Sequence, residues 1–283
     1  MKFTARNSRS IRIAGAALAA TALLSLSACA AASDEKPAST AAAASGDLGT
    51  ITVGALATPA GDILKFVQDN LAADAGLTIK FQDFTDYNTP NVALTDGDID
   101  ANLFQNATFL ANFNAQTGGD LVSLGSIYLP SAAFYSDKVT SLDGLKKGAK
   151  IAIPNDPTNE GRALKILAAE GLIETTDEPT TLADVTKNSK DLQFVEIENA
   201  TLPQAVPDVD AAFVTISFAL PAGLTAKQAI LIEGKDSPYS NVLATTPELE
   251  KDPRVLKLKE LLLDPATQKF MNDTWDGLVI PTV

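Results

Sequence analysis

From Thr50 onward the chain alternates short apolar runs with stretches of helical period, and that rhythm restricts it to an α/β fold. Ile51-Thr52-Val53-Gly54-Ala55 reads as a buried strand. Ala60 to Ala73 has apolar residues at 63, 64, 67 and 71, a helical period, and Gly76 follows. Leu77 to Phe81 alternates as a second strand. Thr89 and Pro90 open a short helix through Leu94, which Asp96-Gly97 ends. Ile99 to Phe104 is a third strand candidate and Ala107 to Gln116 a further helix. This repetition predicts a lobe built on a largely parallel sheet. Leu121 to Tyr135 is a long β-type run broken at Pro130, and it reads as a crossing strand. A second set of alternations follows, with strands at 151–153, 192–195, 211–215, 230–233 and 241–244. Helices are predicted over 156–170, from Ser217, over Pro253–Leu263, and over Pro265–Thr274 behind an Asp264 cap. Two α/β lobes joined by crossing strands leave a cleft, a preferred place for a small ligand.

Within the second set, Ile151-Ala152-Ile153-Pro154-Asn155-Asp156-Pro157-Thr158-Asn159-Glu160-Gly161-Arg162 carries the most chemistry. An apolar strand ends at Pro154, and Asp156 can cap a helix whose first position is Pro157, where a missing N–H costs nothing. Gly171 suits the far end of that helix. A strand, a turn and a helix N-terminus aim free N–H groups at a crevice, and Arg162 adds a cation in the first turns. That is the chemistry of an anion or carboxylate site. The same spacing also fits an ordinary βα unit with an arginine on its surface.

The chain of 283 residues is 46% hydrophobic and 20% charged, enough for a real core in one large domain or two smaller ones. Its first 28 residues differ. Lys2, Arg6, Arg9 and Arg12 precede an apolar run from Ile13 to Leu26 that is short and rich in small residues, which reads as a signal peptide rather than a spanning helix. The run ends in Leu26-Ser27-Ala28-Cys29, similar to the bacterial lipobox, where the cysteine is acylated and the peptide is cut just before it. Cys29 is the sole cysteine, so no intramolecular disulfide forms. A secreted protein with a spare cysteine is the alternative. Ala30 to Gly49 is rich in Ala and Ser and reads as a flexible tether with an r.m.s. span of roughly 25 Å. The whole chain carries a net charge of −13, and losing the signal peptide makes it more negative. Such a surface repels nucleic acid and anionic headgroups, so attachment to a membrane falls to the lipid, and two or more acyl chains hold stably. No later stretch is long and apolar enough to span a bilayer.

Catalytic chemistry is sparsely represented. The chain has no histidine, which removes a Ser-His-Asp triad, a Cys-His pair and His-ligated zinc. Asp96, Asp98 and Asp100 cluster, but their spacing does not match a calcium loop, and a turn with a strand entry accounts for them. No phosphate-binding or dinucleotide glycine fingerprint appears. A carboxylate pair of glycosidase type stays open on residue types alone. The expectation is no cofactor, no metal and no catalytic residue.

Several of these segments together resemble the methionine-binding lipoprotein (NlpA) family. They are the lipobox, Asp86-Tyr87-Asn88-Thr89-Pro90-Asn91, Gly97 to Gln105, Pro154 to Arg162, Gly223-Leu224-Thr225 and Ser237-Pro238-Tyr239-Ser240-Asn241. The resemblance runs from Thr50 to the C-terminus. It implies the substrate-binding subunit of a bacterial ABC importer and not an enzyme. The implied fold is α/β and two-lobed, of the periplasmic-binding-protein type II, closing on an amino acid in the cleft. It implies residues 1–28 as signal peptide and 29–49 as lipidated cysteine and tether. Lobe 1 then takes 50–130 plus 238–283, and lobe 2 takes 131–237.

By the same resemblance, Arg162 grips the ligand carboxylate, Tyr87 and Phe104 wall the cleft, and Asn241 lies near the ligand amino group. Three positions depart from the pattern: Asn106 replaces a histidine, Phe109 a tyrosine and Thr215 an asparagine. Asn106 still donates and accepts but cannot be protonated, Phe109 loses a hydroxyl, and Thr215 loses an amide fork. Each lost polar partner costs a fixed ligand group about 1–3 kcal/mol. The carboxylate end is therefore expected to be retained and the rest re-cut, with methionine, a related amino acid or a small peptide as ligand. The implied partners are an ABC permease with its ATPase and the cell membrane, on its extracytoplasmic face through the lipid, with no nucleic acid. The rival readings are a secreted cleft enzyme using carboxylates and a surface lipoprotein without a transport role.

Overall fold

The computed structural model describes residues 46–282. The expected signal peptide, Cys29 and the tether up to residue 45 lie outside the described residues. Strand β1 (Gly49–Leu56) starts the fold, followed by helix α1 (Asp62–Val67), which wide π-type turns extend on both sides over 57–72. Then come β2 (Leu77–Phe84), α2 (Thr89–Thr95), β3 (Ala101–Asn102), α3 (Ala107–Thr117) and β4 (Val122–Pro130). Next are β5 (Ala132–Tyr135), β6 (Lys150–Pro154), α4 (Pro157–Ala169), and a small hairpin of β7 (Glu174–Thr175) with β8 (Val185–Lys187). The chain continues through β9 (Gln193–Ile197), α5 (Leu202–Ala205), β10 (Ala211–Thr215), α6 (Ile216–Ala219) and β11 (Ala229–Ile232). It ends with β12 (Asn241–Thr245), α7 (Pro253–Leu262), α8 (Pro265–Trp275) and β13 (Val279–Pro281).

Two sheets carry the architecture. One has the order β13-β4-β12-β3-β1-β2 and the other β11-β5-β10-β6-β9. Each owns a core: Ile51, Val53, Leu64, Ile127 and Leu258 pack on the first, and Phe134, Ile151, Leu164 and Phe213 on the second. Both sheets are mixed rather than largely parallel. β1 pairs parallel with β2 and β3, but β12 runs antiparallel to its neighbours β3 and β4, and β13 antiparallel to β4. In the second sheet β6 pairs parallel with β9 and β10, while β5 runs antiparallel to β10 and β11. The reason lies in the crossings. The chain passes from β4 directly into β5 of the other sheet and returns between β11 and β12, so the crossing strands arrive in the opposite sense.

The third strand is shorter than its apolar run suggests. It pairs over Ala101–Asn102, with one further bond from the Leu103 N–H to the Gly54 carbonyl (2.9 Å). The backbone then leaves the sheet and carries Phe104, Gln105 and Asn106 toward β12, where the Val242 N–H donates to the Gln105 carbonyl (2.8 Å) and Asn106 bridges to Asn241. The hairpin β7–β8 and the closing strand β13 have too few residues for a legible period. Gly54 shows how tight the first sheet is: an added Cβ would sit 2.6 Å from Ile99 Cδ1 and 2.7 Å from Phe84 Cε2. Asp100 is structural. Its Oδ2 accepts from the Thr52 N–H (2.7 Å) and its Oδ1 lies 3.6 Å from Arg254 Nη2. Among the described residues no group of three acidic, cysteine or histidine side chains is placed to hold a metal, and no helix is long and apolar enough to cross a membrane.

Candidate functional site

All seven residues expected at the site, Tyr87, Phe104, Asn106, Phe109, Arg162, Thr215 and Asn241, line one cavity, together with Gln105, Pro130 and Asn159. They come from both sheets: the loops after β2 and β3 and the start of β12 on one side, the ends of α4 and β10 on the other. The cavity is narrow, about 20 Å³, room for about one water molecule. Rings fill one end. Tyr87, Phe104 and Phe109 have centroids 5.8–6.0 Å apart, and Phe218 lies 4.8 Å from Tyr87. Side-chain bonds cross between the halves, among them two beside the rings. The Tyr87 and Thr215 hydroxyls are 3.0 Å apart, and Asn112 Nδ2 on α3 donates to Thr158 Oγ1 on α4 (2.8 Å). Each contributes about 1 kcal/mol, and Leu56, Tyr87 and Phe104 also pack against Ala133, Val214 and Phe218 of the other half.

The loops are held by a buried amide triad. Asn91 Nδ2 donates to Gln105 Oε1 (2.8 Å), Asn102 Nδ2 to Asn91 Oδ1 (2.9 Å) and Gln105 Nε2 to Asn102 Oδ1 (3.0 Å). All three residues are buried, so each amide that lost its partner would bear a desolvation cost. Asn106 caps α3, its Oδ1 accepting from the Phe109 N–H (3.0 Å). That oxygen keeps a second lone pair, so Asn106 can still accept as well as donate toward the cavity. In Asn241, Nδ2 donates to the Tyr128 hydroxyl (3.1 Å), leaving Oδ1 as an acceptor. Burial raises the Tyr87 phenol, against the lowering effect of the Thr215 hydrogen bond, and burial raises Tyr128, against that of Asn241; both are neutral at physiological pH.

The N-terminal half of α4 is buried on all sides, from Thr158 to Leu164. The expected Asp156 cap forms, with Oδ1 accepting from the Asn159 N–H (2.9 Å). The same carboxylate also takes Asn159 Nδ2 (3.0 Å) and Asn199 Nδ2 (2.7 Å). A negative charge thus already occupies the helix end, and the row of free N–H groups expected there is largely used up. Glu160, one turn in, is buried, its Oε1 has no partner, and burial together with Glu196 pushes its pKa up to about 7.

Arg162 is likewise buried and is not free for a ligand alone. Its Nε donates to Glu233 Oε1 (2.9 Å), its Nη2 donates to Glu233 Oε2 and to the Pro130 carbonyl (2.9 Å), and its guanidinium lies over the Tyr239 ring at 4.8 Å. Nη1 is the nitrogen not taken up by these bonds. Glu233 is satisfied in turn by Ser237 Oγ (2.8 Å) and the Ala132 N–H (3.3 Å). Sequence reasoning missed Glu233, because an acid at the end of a strand reads as solvated. The signal available was Arg162 itself, since a buried arginine requires a counter-charge. It also missed Phe218 and the amide triad, whose members stand inside the segments that carry the family resemblance.

Residues 51–283 match the family model described as NlpA lipoprotein. A probable D-methionine-binding lipoprotein MetQ of Pasteurella multocida is 37% identical over 263 residues, spanning 91% of this chain and 95% of that one. The D-methionine-binding lipoprotein MetQ of Escherichia coli K12 is 38% identical over 209 residues, spanning 71% of this chain and 77% of its own length. Among solved structures, a nutrient binding protein from Burkholderia cenocepacia bound to methionine matches with a TM-score of 0.79 at 36% identity, covering 82% of this chain and 100% of that one. A lipoprotein structure from Actinomyces odontolyticus matches with a TM-score of 0.80 at 37% identity, covering 84% and 100%. The two-lobed α/β fold is that of periplasmic substrate-binding proteins, and the chain belongs to the NlpA lipoprotein family.

Proposed function

We propose that the chain is the substrate-binding component of an ABC importer and captures methionine or a closely related amino acid in the cavity between its two sheets. One observation carries the reading: three aromatic rings, the Arg162 guanidinium with Nη1 outside its pair to Glu233, and Asn241, whose amide oxygen can accept, line one cavity. That combination suits a zwitterion with an apolar side chain. Arg162 meets the carboxylate, Asn241 with Asn106 and Thr215 holds the amino end, and Tyr87, Phe104 and Phe109 enclose the side chain. The names of the relatives support the ligand class.

Because the closed cavity is smaller than an amino acid, the Tyr87–Thr215 and Asn112–Thr158 bonds separate to admit the ligand. The lobes, 50–130 with 238–283 and 131–237, rock about the two crossings near Pro130 and Ser237. Acylated Cys29 holds the protein on the extracytoplasmic face of the membrane, beside a permease and its ATPase that receive the ligand. The test is thermal shift of the chain from Ala30 onward against L-methionine, D-methionine, methionine dipeptides and other amino acids. Ligand at 100 times its dissociation constant adds about 2.7 kcal/mol. For a body of this size that is roughly 5–10 °C. The reading predicts a shift with a methionine compound and its loss in Arg162→Gln. No shift with any amino acid or dipeptide contradicts it.

A further inference from the structure

We propose that Glu233 is a specificity-determining residue: its carboxylate is a fixed counter-charge that makes the cavity accept a net-neutral zwitterion and reject a net-anionic carboxylate. The inference rests on the ligand reading above and adds what sets the permitted ligand charge. Among the residues lining the cavity, Arg162 alone is charged. Its charge is already matched before any ligand arrives, because Glu233 takes Nε and Nη2 in a buried, bidentate pair. Side-chain exposure is 2% for Arg162 and 6% for Glu233, so solvent screens the pair little. Glu233 is fixed rather than swinging, held by Ser237 Oγ, the Ala132 N–H and its own N–H to the Ala132 carbonyl (2.9 Å). Of the further charges on α4, Asp156 at its start is negative and held by Asn159 and Asn199, and Lys165 is paired with Glu178.

The consequence is arithmetic on charge. A carboxylate arriving at Nη1 without its own cation makes the site net negative in a poorly screened place. An amino acid brings its ammonium and leaves the site neutral. With Glu233 neutralised, the balance reverses: the bare carboxylate then matches Arg162, and the zwitterion leaves an excess positive charge. Glu233 touches the arginine and not the ligand, so it acts by positioning and by charge.

The experiment compares two ligands of one shape, L-methionine and its analogue lacking the amino group, 4-(methylsulfanyl)butanoate. Calorimetric affinities are measured for the wild type, Glu233→Gln and Glu233→Asp. The expected result is that Glu233→Gln moves the affinity ratio toward the anion by on the order of tenfold or more, the equivalent of 1.4 kcal/mol. Glu233→Asp keeps the charge and so keeps the ratio, although both ligands bind more weakly. A ratio unchanged in Glu233→Gln overturns the proposal while methionine binding to the wild type stands. If Glu233→Gln does not fold, Glu233→Asp decides: a tenfold drift of its ratio toward the anion overturns the proposal, and a constant ratio supports it. A wild type that binds neither compound overturns the ligand reading itself, and this inference with it.

Discussion

Glu160 carries a burial cost that depends on pH, and Glu160→Gln removes it. The carboxyl sits on α4 with 2% exposure, Oε1 unpartnered, and the carboxylates of Glu196 and Asp156 nearby. Burial first, and Glu196 second, raise its pKa from the ordinary 4.5 to about 7. A raised acid favours the folded state when protonated. The stabilisation is fully present below pH 4.5, falls as pH rises toward 7, and is gone above it. At 1.36 kcal/mol per pH unit the window between 4.5 and about 7 amounts to about 3 kcal/mol. Glutamine has nearly the same shape and never ionises. Glu160→Gln is therefore expected to match the wild type near pH 4.5 and to exceed it by about 3 kcal/mol at pH 8, roughly 6–12 °C in melting temperature. Urea unfolding of both proteins from pH 4.5 to 8 reads the difference, since titrating groups that are not coupled to Glu160 cancel. Equal stability at pH 8, or the same gain at both ends of the range, would refute the argument.

Three further outcomes follow from particular contacts. Gly161→Ala would set a methyl carbon 2.1 Å from the Pro179 carbonyl oxygen, a backbone atom that cannot swing aside; a loss of about 1–3 kcal/mol or more is expected in denaturant melts, and a neutral result would show that the 179–180 segment yields freely. A double-mutant cycle of Tyr87→Phe and Thr215→Val should give a coupling of about 1 kcal/mol in the unliganded protein, because their hydroxyls are 3.0 Å apart; strictly additive effects would mean that the bond does not hold the cleft shut. Cys29→Ser should move the protein from the membrane or detergent phase to the aqueous phase on fractionation, whereas retention in the membrane would rule out the lipid as its anchor.

Much of the fold is legible along the chain because its signals are local. Asp156-Pro157 and Asp264-Pro265 mark helix starts by cap and fixed φ alone, and both caps form. β10 is a five-residue strand that opens with four apolar residues and shows no competing period. The sense of the sheets was not legible, because it depends on where the chain crosses between them, and nothing in Leu121 to Tyr135 tells which neighbour each half will find. The site residues were reachable through the family resemblance, and the structure brings all seven to one cavity. What neither spacing nor resemblance conveyed is who already holds them. Arg162 looks like a free cation in the sequence, yet its partner lies 71 positions away, after a strand of the same sheet as the one preceding α4. The Asn91–Asn102–Gln105 triad is equally hidden, since three amides read as polar surface until the backbone turns them inward.

The most direct measurement is a crystal structure of the chain grown with selenomethionine as an added ligand and with the protein's own methionines unlabelled. Capture in the cavity predicts one strong selenium peak among Tyr87, Phe104 and Phe109, with the ligand carboxylate at Arg162 Nη1 and its ammonium toward Asn241 Oδ1. A cavity still closed by the Tyr87–Thr215 bond, or a selenium peak outside it, would contradict the assignment.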